Sequence, residues 1–207
     1  GRPLSTWLKL KIPKTKSGIL FVGVNPFSLK LVEYARQYVP VAFLDTSKHF
    51  CQVLTEQGHE TMCPDVLDDN VYEQAKEEGY DRLLALTHDE VPNQLICEKA
   101  AVHLGENNVF MARGNSPQGL MIEPMANINI AFSEKLYIAQ ALREMEAQQA
   151  WFEVLEAYAP EPGLFPLLEV TEDQGIAIVS GSSTPRKNVL CIRFSDHGSS
   201  GQEGKQP

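Results

Sequence analysis

Between residues 18 and 113, short apolar runs alternate with segments whose apolar residues recur every three or four positions. This is the rhythm of a parallel sheet wrapped by helices. Gly18-Ile-Leu-Phe-Val-Gly23 is apolar throughout, as a strand buried on both faces requires. Pro26 follows. It suits the first position of a helix, because the amide proton it lacks would find no partner there; Leu29, Val32 and Ala35 then recur at helical spacing up to Tyr38. Residues 41–44 predict a second buried strand, closed by Asp45. Ser47 predicts the cap of a helix through Phe50, Val53 and Leu54 that stops at Gly58. Further strands are predicted at 60–63, 81–87 and 108–112. Helices are predicted from Asp68 or Asp69 to Gly79 and from Glu90 to Leu104, the latter ended by Gly105. Five β–α cycles at roughly 20-residue spacing predict an α/β fold with a doubly wound parallel sheet. Residues 127–132 supply a sixth strand, and Ser133 with Glu134 opens a long helix through Leu136, Ile138, Leu142 and Met145.

After residue 150 the pattern changes to strands, at 151–155, 167–170, 175–180 and 189–194, with a hairpin turn at 172–175. The expected organisation is a basic linker at 1–17, an α/β unit at 18–150, a small β subdomain at 151–194 and a Gly/Ser/Gln-rich disordered tail at 195–207.

Composition narrows the function. The 207 residues carry a net charge of −9, so general nucleic-acid binding is not expected. The four cysteines, at 51, 63, 97 and 191, are widely spaced and form no C-x-x-C, which predicts reduced thiols and neither a disulfide framework nor a zinc site. Charge is uneven. Arg2, Lys9, Lys11, Lys14 and Lys16 face no acid in the first 16 residues, whereas the rest holds 13 basic against 27 acidic side chains. A basic stretch with Trp7 among leucines suits a cytoplasmic segment beside a membrane helix, although a solubilising arm is the plainer reading of such a charge run.

Candidate chemistry lies at the strand ends. In a dinucleotide-binding unit, a G-x-G-x-x-G turn brings helix N-terminal amides to phosphate, and an acid about 20 residues later binds ribose hydroxyls. Here Gly23-Val-Asn25-Pro26-Phe27-Ser28 follows the first strand and Asp45 closes the second, 22 residues after Gly23. Only the first glycine is kept. Asn25 puts a Cβ where backbone would approach a pyrophosphate, and Pro26 removes a donor. Ser28 is small enough for close packing, with a hydroxyl able to donate to phosphate. This loop favours a mononucleotide over a dinucleotide, and a carboxylate at position 45 disfavours NADP. A worn turn that binds nothing is the alternative. Asp65 and Thr87-His88-Asp89 follow the third and fourth strands and face the same crevice, although Asp65 and Asp89 taken singly serve equally well as turn and cap acids.

With these features in order, residues 18–113 resemble the TrkA-N domain, also called the RCK N-terminal domain. The resemblance rests on Gly23 in the degenerate turn, Asp45, and Asp65 after Pro64. It also rests on Leu-Leu-Ala-Leu-Thr87 followed by Asp89, Glu90 and Asn93, and on Ala-Asn-Ile-Asn-Ile-Ala-Phe-Ser133-Glu134. It implies a nucleotide pocket of Gly23, Asn25, Pro26, Phe27, Ser28, Asp45, Thr46, Asp65, Val66, Thr87 and His88. The opening Gly-Arg-Pro-Leu-Ser-Thr-Trp-Leu8 resembles the end of the last membrane helix of bacterial CPA-type sodium/proton antiporters. The family then implies a regulatory, non-enzymatic cytoplasmic region at the inner membrane. It would be homodimeric, would sense AMP, ATP or NAD(H), and would bias a transport domain of the same polypeptide.

Two other readings compete. Tyr72-Glu-Gln-Ala-Lys76 matches the Tyr-x-x-x-Lys pair of short-chain dehydrogenases, but it falls only about 50 residues after the glycine turn, on a crossover helix, where that pair does not belong. An NAD-dependent oxidoreductase must show redox turnover. A nucleotide-free interaction scaffold would be indifferent to ligand.

Overall fold

The computed structural model describes residues 17–63, 68, 70–115, 128–181 and 184–195. The expected linker up to residue 16, Asp65, Val66 and the tail beyond residue 195 lie outside the described residues. Strands and helices alternate as β1 (Gly18–Val22), α1 (Pro26–Ala35), β2 (Val41–Leu44), α2 (Lys48–Glu56), β3 (Thr61–Met62), α3 (Asn70–Glu77), β4 (Tyr80–Ala85), α4 (Glu90–Leu104), β5 (Val109–Met111) and β6 (Asn129–Ile130). The six strands pair in parallel in the order β3-β2-β1-β4-β5-β6. This is the doubly wound, Rossmann-like arrangement that the periodicity predicts.

The unbroken apolar run of β1 has a direct cause. Successive strand side chains point to opposite faces. Ile19 and Phe21 enter one core with α1, while Leu20 and Val22 enter the other with α3 and α4. Neither face meets water, so each position contributes roughly 1.5–3 kcal/mol of apolar burial. Local signals hold as well. The Ser47 hydroxyl accepts from the Phe50 N–H to cap α2, and Gly58 and Gly105 end helices with φ of +83° and +89°.

A second, antiparallel sheet follows: β7 (Ala150–Ala157), β8 (Leu164–Val170), β9 (Ile176–Ile178) and β10 (Lys187–Phe194), in the order β7-β10-β8-β9. Its inner face, with Leu168, Ile178, Leu190 and Ile192, is buried in the same core as Ile19, Phe21 and Leu31. Phe27 of α1 is fully buried, with its ring centroid 5.9 Å from Phe132 and 5.3 Å from Phe152. Polar links cross the same seam. Ala131 bridges Ser180, the Phe132 N–H donates to the Val179 carbonyl, and the Tyr34 hydroxyl donates to the Asn188 carbonyl at 2.8 Å. Arg82 donates to the Ile176 carbonyl and, at 2.6 Å, to the Ser17 carbonyl. Burial lowers the pKa of its guanidinium, while Asp81 and Asp173 oppose the shift.

One element departs from expectation. The helix predicted to open at Ser133 begins later, as α5 (Ile138–Glu146). Ser133 instead accepts from the Lys135 N–H through its hydroxyl, forming a local turn. The amides of Ile138 and Ala139 donate to the carbonyls of Arg113 and Gly114, and Tyr137 bridges Arg113. The bridge to Arg113 therefore holds Tyr137 in extended backbone, and the helix starts only after it, with its first two amides spent on the carbonyls that follow β5.

Two outcomes follow from this packing. Phe27→Ala should lose about 3–5 kcal/mol in denaturant unfolding, in a single transition followed alike by fluorescence and circular dichroism, because both sheets share the core; two separated transitions would contradict the shared core. Burial, and secondarily Arg36, lowers the pKa of His59 below its ordinary 6.5, against the pull of Glu33. The unfolded chain then takes up a proton at His59 before the folded chain does, so stability falls as pH drops below 6.5. Thermal melts on either side of that pH should show a smaller loss in His59→Gln.

Candidate functional site

The order of winding reverses between β1 and β4, and ligands of open α/β sheets bind at the carboxyl ends of the strands at such a point. Gly23 leaves β1 there with φ +95°, and a Cβ on it would lie 2.9 Å from the Thr87 nitrogen. Gly23 is therefore required both by the turn and by the close approach of the β4–α4 loop. Gly114, which the sequence pattern did not single out, plays a parallel part. Its added Cβ would meet the His88 carbonyl oxygen at 2.6 Å.

Asn25 is the N-cap of α1. Its Oδ1 accepts from the Ser28 N–H at 2.9 Å, its own N–H donates to Ser28 Oγ at 3.0 Å, and its Nδ2 donates to the Leu86 carbonyl at 2.9 Å. The side chain thus ties the β1–α1 turn to the end of β4 across the switch point. The expectation that the Ser28 hydroxyl donates to phosphate is corrected: Ser28 is 0% exposed, and its Oγ donates to the Asn25 carbonyl. Pro26 has no amide proton and the Ser28 amide is engaged, so in this first turn only the Phe27 N–H lacks a partner among the described residues. The Phe27 side chain belongs to the core and forms no wall of a pocket.

Asp45 stands at the end of β2, half-buried, where its N–H donates to the Met62 carbonyl at 3.2 Å. Its Oδ1 accepts from the Ser47 N–H at 2.8 Å, which fixes the carboxylate at the carboxyl end of the strand, and Thr46 is exposed next to it. On the other side of the switch point, Thr87 is locked inward. Its N–H and hydroxyl both donate to Oδ1 of the fully buried Asn93, whose Nδ2 returns a bond to the Thr87 carbonyl at 3.0 Å. His88 is exposed. Asp89 acts as a cap, accepting from the Val91 N–H. Arg113 follows β5 and pairs with Glu90, Nη1 to Oε2 at 3.7 Å; both side chains are largely buried, and Arg113 Nε has no hydrogen-bond partner among the described residues. An arginine directly after a buried strand was the signal available for it in the sequence.

The structure therefore groups Gly23, Asn25, Pro26, Asp45, Thr46, Thr87 and His88 along the carboxyl edge of the sheet, withdraws the side chains of Phe27 and Ser28 into the interior, and leaves Asp65 and Val66 outside the described residues. Tyr72 and Lys76 lie elsewhere, at the α3–α4 contact. Tyr72 is fully buried with its ring stacked on His103, and Lys76 donates to the His103 carbonyl.

A family model of the TrkA-N domain matches residues 19–134. That is more than half of the chain, which belongs to the TrkA-N domain family. No curated protein matches the sequence. Among similar solved structures, the GsuK channel bound to NAD is 11% identical, covers 88% of this chain and 38% of its own, and superposes with a TM-score of 0.51. The NAD(P)-binding domain of an exopolyphosphatase-related protein from Archaeoglobus fulgidus is 19% identical over 63% of this chain and 94% of its own, with a TM-score of 0.49. The TrkA-N domain of the inner membrane protein ybaL from Escherichia coli is 16% identical over 47% of this chain and 73% of its own, with a TM-score of 0.39.

Asn25→Ala removes the cap and leaves the Leu86 carbonyl without its donor. It should destabilise the fold by about 1–2 kcal/mol from the cap alone in denaturant unfolding, and Asn25→Asp, which keeps the capping oxygen, should recover part of the loss.

Proposed function

We propose that this TrkA-N domain is the nucleotide-sensing regulatory region of a cation/proton antiporter. In this reading it is not an enzyme, and it works as a homodimer at the cytoplasmic face of the inner membrane. It passes ligand state to a membrane transport domain of the same polypeptide. The observation that carries the reading is the Asp45 carboxylate. It sits at the end of β2 beside the switch point and is oriented through one oxygen by the Ser47 amide. Its second oxygen is the natural acceptor for a ribose hydroxyl.

The self-bonded Asn25 turn sets the ligand preference. With one first-turn amide left, a phosphate is held weakly, and selection falls on sugar and base, with the exposed Thr46 and His88 at the rim. This favours an adenine mononucleotide, AMP or ATP, over NAD(H). The solved GsuK channel carries NAD, so NAD(H) remains the comparison ligand. Sensing further requires that the ligand prefer one of two states of the domain, since equal affinity shifts nothing. The basic residues among the first 16 suit contact with an anionic membrane surface. Among the described residues no helix is long and apolar enough to cross a membrane. The same Asn25 turn favours a second reading, an interaction module that binds no nucleotide.

Thermal shift with AMP, ADP, ATP, NAD⁺ and NADH separates these readings. A bound mononucleotide at 100 times its Kd should stabilise the chain by about 2.7 kcal/mol. Asp45→Asn keeps the Ser47 contact and should weaken binding about tenfold or more, as loss of a charged hydrogen bond worth roughly 1.5–3 kcal/mol requires. Indifference to all five ligands supports the interaction module, and NADH turnover supports an oxidoreductase.

A further inference from the structure

Two thiols meet at the edge of the proposed site. Cys51, in the first turn of α2, is buried with its Sγ 3.5 Å from the Asp45 carbonyl and 3.9 Å from the Met62 carbonyl. In the β2–β3 ladder Leu44 opposes Met62, and the Asp45 N–H donates to the Met62 carbonyl, so Cys63 emerges beside Asp45 at the strand end. Cys63 is exposed. One sulfur is thus held inside and one outside, at the same pair of strand ends.

We propose that Cys51 and Cys63 form an oxidisable dithiol pair, whose disulfide locks α2 to the end of β3 and alters the crevice at Asp45. The pairing stands by itself; the effect on the crevice rests on the nucleotide-sensing reading. The oxidant is hydrogen peroxide. The exposed Cys63 sulfur attacks the peroxide, the O–O bond breaks, and a sulfenic acid and one water form. The Cys51 sulfur then attacks the sulfenic sulfur. The S–S bond forms, the S–O bond breaks, and the hydroxyl leaves as a second water with the Cys51 proton. Two thiols lose two electrons and two protons, and one peroxide becomes two waters.

The order of steps follows from the surroundings. Burial, and next the neighbouring Cys63 thiol and Asp45, pushes the Cys51 thiol up to about 12. Cys51 is therefore shielded from direct oxidation and slow to attack at neutral pH, and the second step accelerates as pH rises. Cys97 and Cys191 are both buried, each pushed up to about 12 chiefly by desolvation, and serve as internal controls that should stay reduced.

The test treats the full chain with hydrogen peroxide, alkylates it after denaturation and maps the peptides. The expected product has lost two hydrogens and yields one linked peptide joining Cys51 to Cys63. Cys63→Ser abolishes it, and Cys51→Ser leaves a sulfenic acid on Cys63 that a dimedone probe traps. Cys63 carried on to sulfinic acid, or joined to a second copy while Cys51 still alkylates, would overturn the pairing. Titration of AMP into reduced and oxidised chain reads the second claim. A several-fold change in Kd supports it, and equal affinity overturns it. If the reduced chain binds none of the nucleotides, the sensing reading falls, while the peptide map still decides the thiol pair.

Discussion

The contact on which the site depends is the hydrogen bond from the Asn25 amide to the Leu86 carbonyl, made while the other end of the same side chain caps α1. A glycine in this position leaves the helix N-terminus open, and its free amides and dipole then attract an anion. Here the protein supplies its own acceptor to the Ser28 amide and fastens the turn to β4. The turn is stabilised by its own side chain, and the price is a poorer phosphate site. What stays available at the crevice is the carboxylate of Asp45 and the exposed rim around Thr46 and His88. In the proposed function these groups take the sugar and the base of the ligand.

The second sheet bears on how such a site could influence anything else. Its inner face shares a core with α1, whose N-terminus is the Asn25 turn, and Phe27 stands at that junction between Phe132 and Phe152. Close-packed interiors transmit strain rather than absorb it. A change at the turn therefore reaches β7 and β10 through few intervening side chains. Arg82 links the far end of the parallel sheet to β9 and to the Ser17 carbonyl.

Much of this architecture was legible in the sequence because it rests on local rules. The apolar run of β1, the Pro26 start, the Ser47 cap, the stops at Gly58 and Gly105 and the hairpin after Val170 are each decided within a few residues. What failed was non-local. Asn25 reads in sequence as a Cβ in the way of a ligand; the partner that fastens it to the sheet lies 61 residues away. Ser133 looks like a helix cap until Tyr137 to Ala139 pair with Arg113 and Gly114, a contact no local pattern encodes. Gly114 carries no positive φ, and its need for a bare Cα comes entirely from the His88 backbone packed against it.

In the proposed function a nucleotide enters from the Asp45 side, and the Asn25 cap on the helix N-terminus stays intact. Backbone amide shifts in a nitrogen-15 spectrum, followed during AMP titration, test it most directly. Saturable shifts are expected at Gly23, Thr46, Ser47 and His88 while the Ser28 amide stays in place. A spectrum in which Ser28 moves most would contradict it, because the phosphate would then have displaced the Asn25 cap; a spectrum unchanged throughout would contradict it as well.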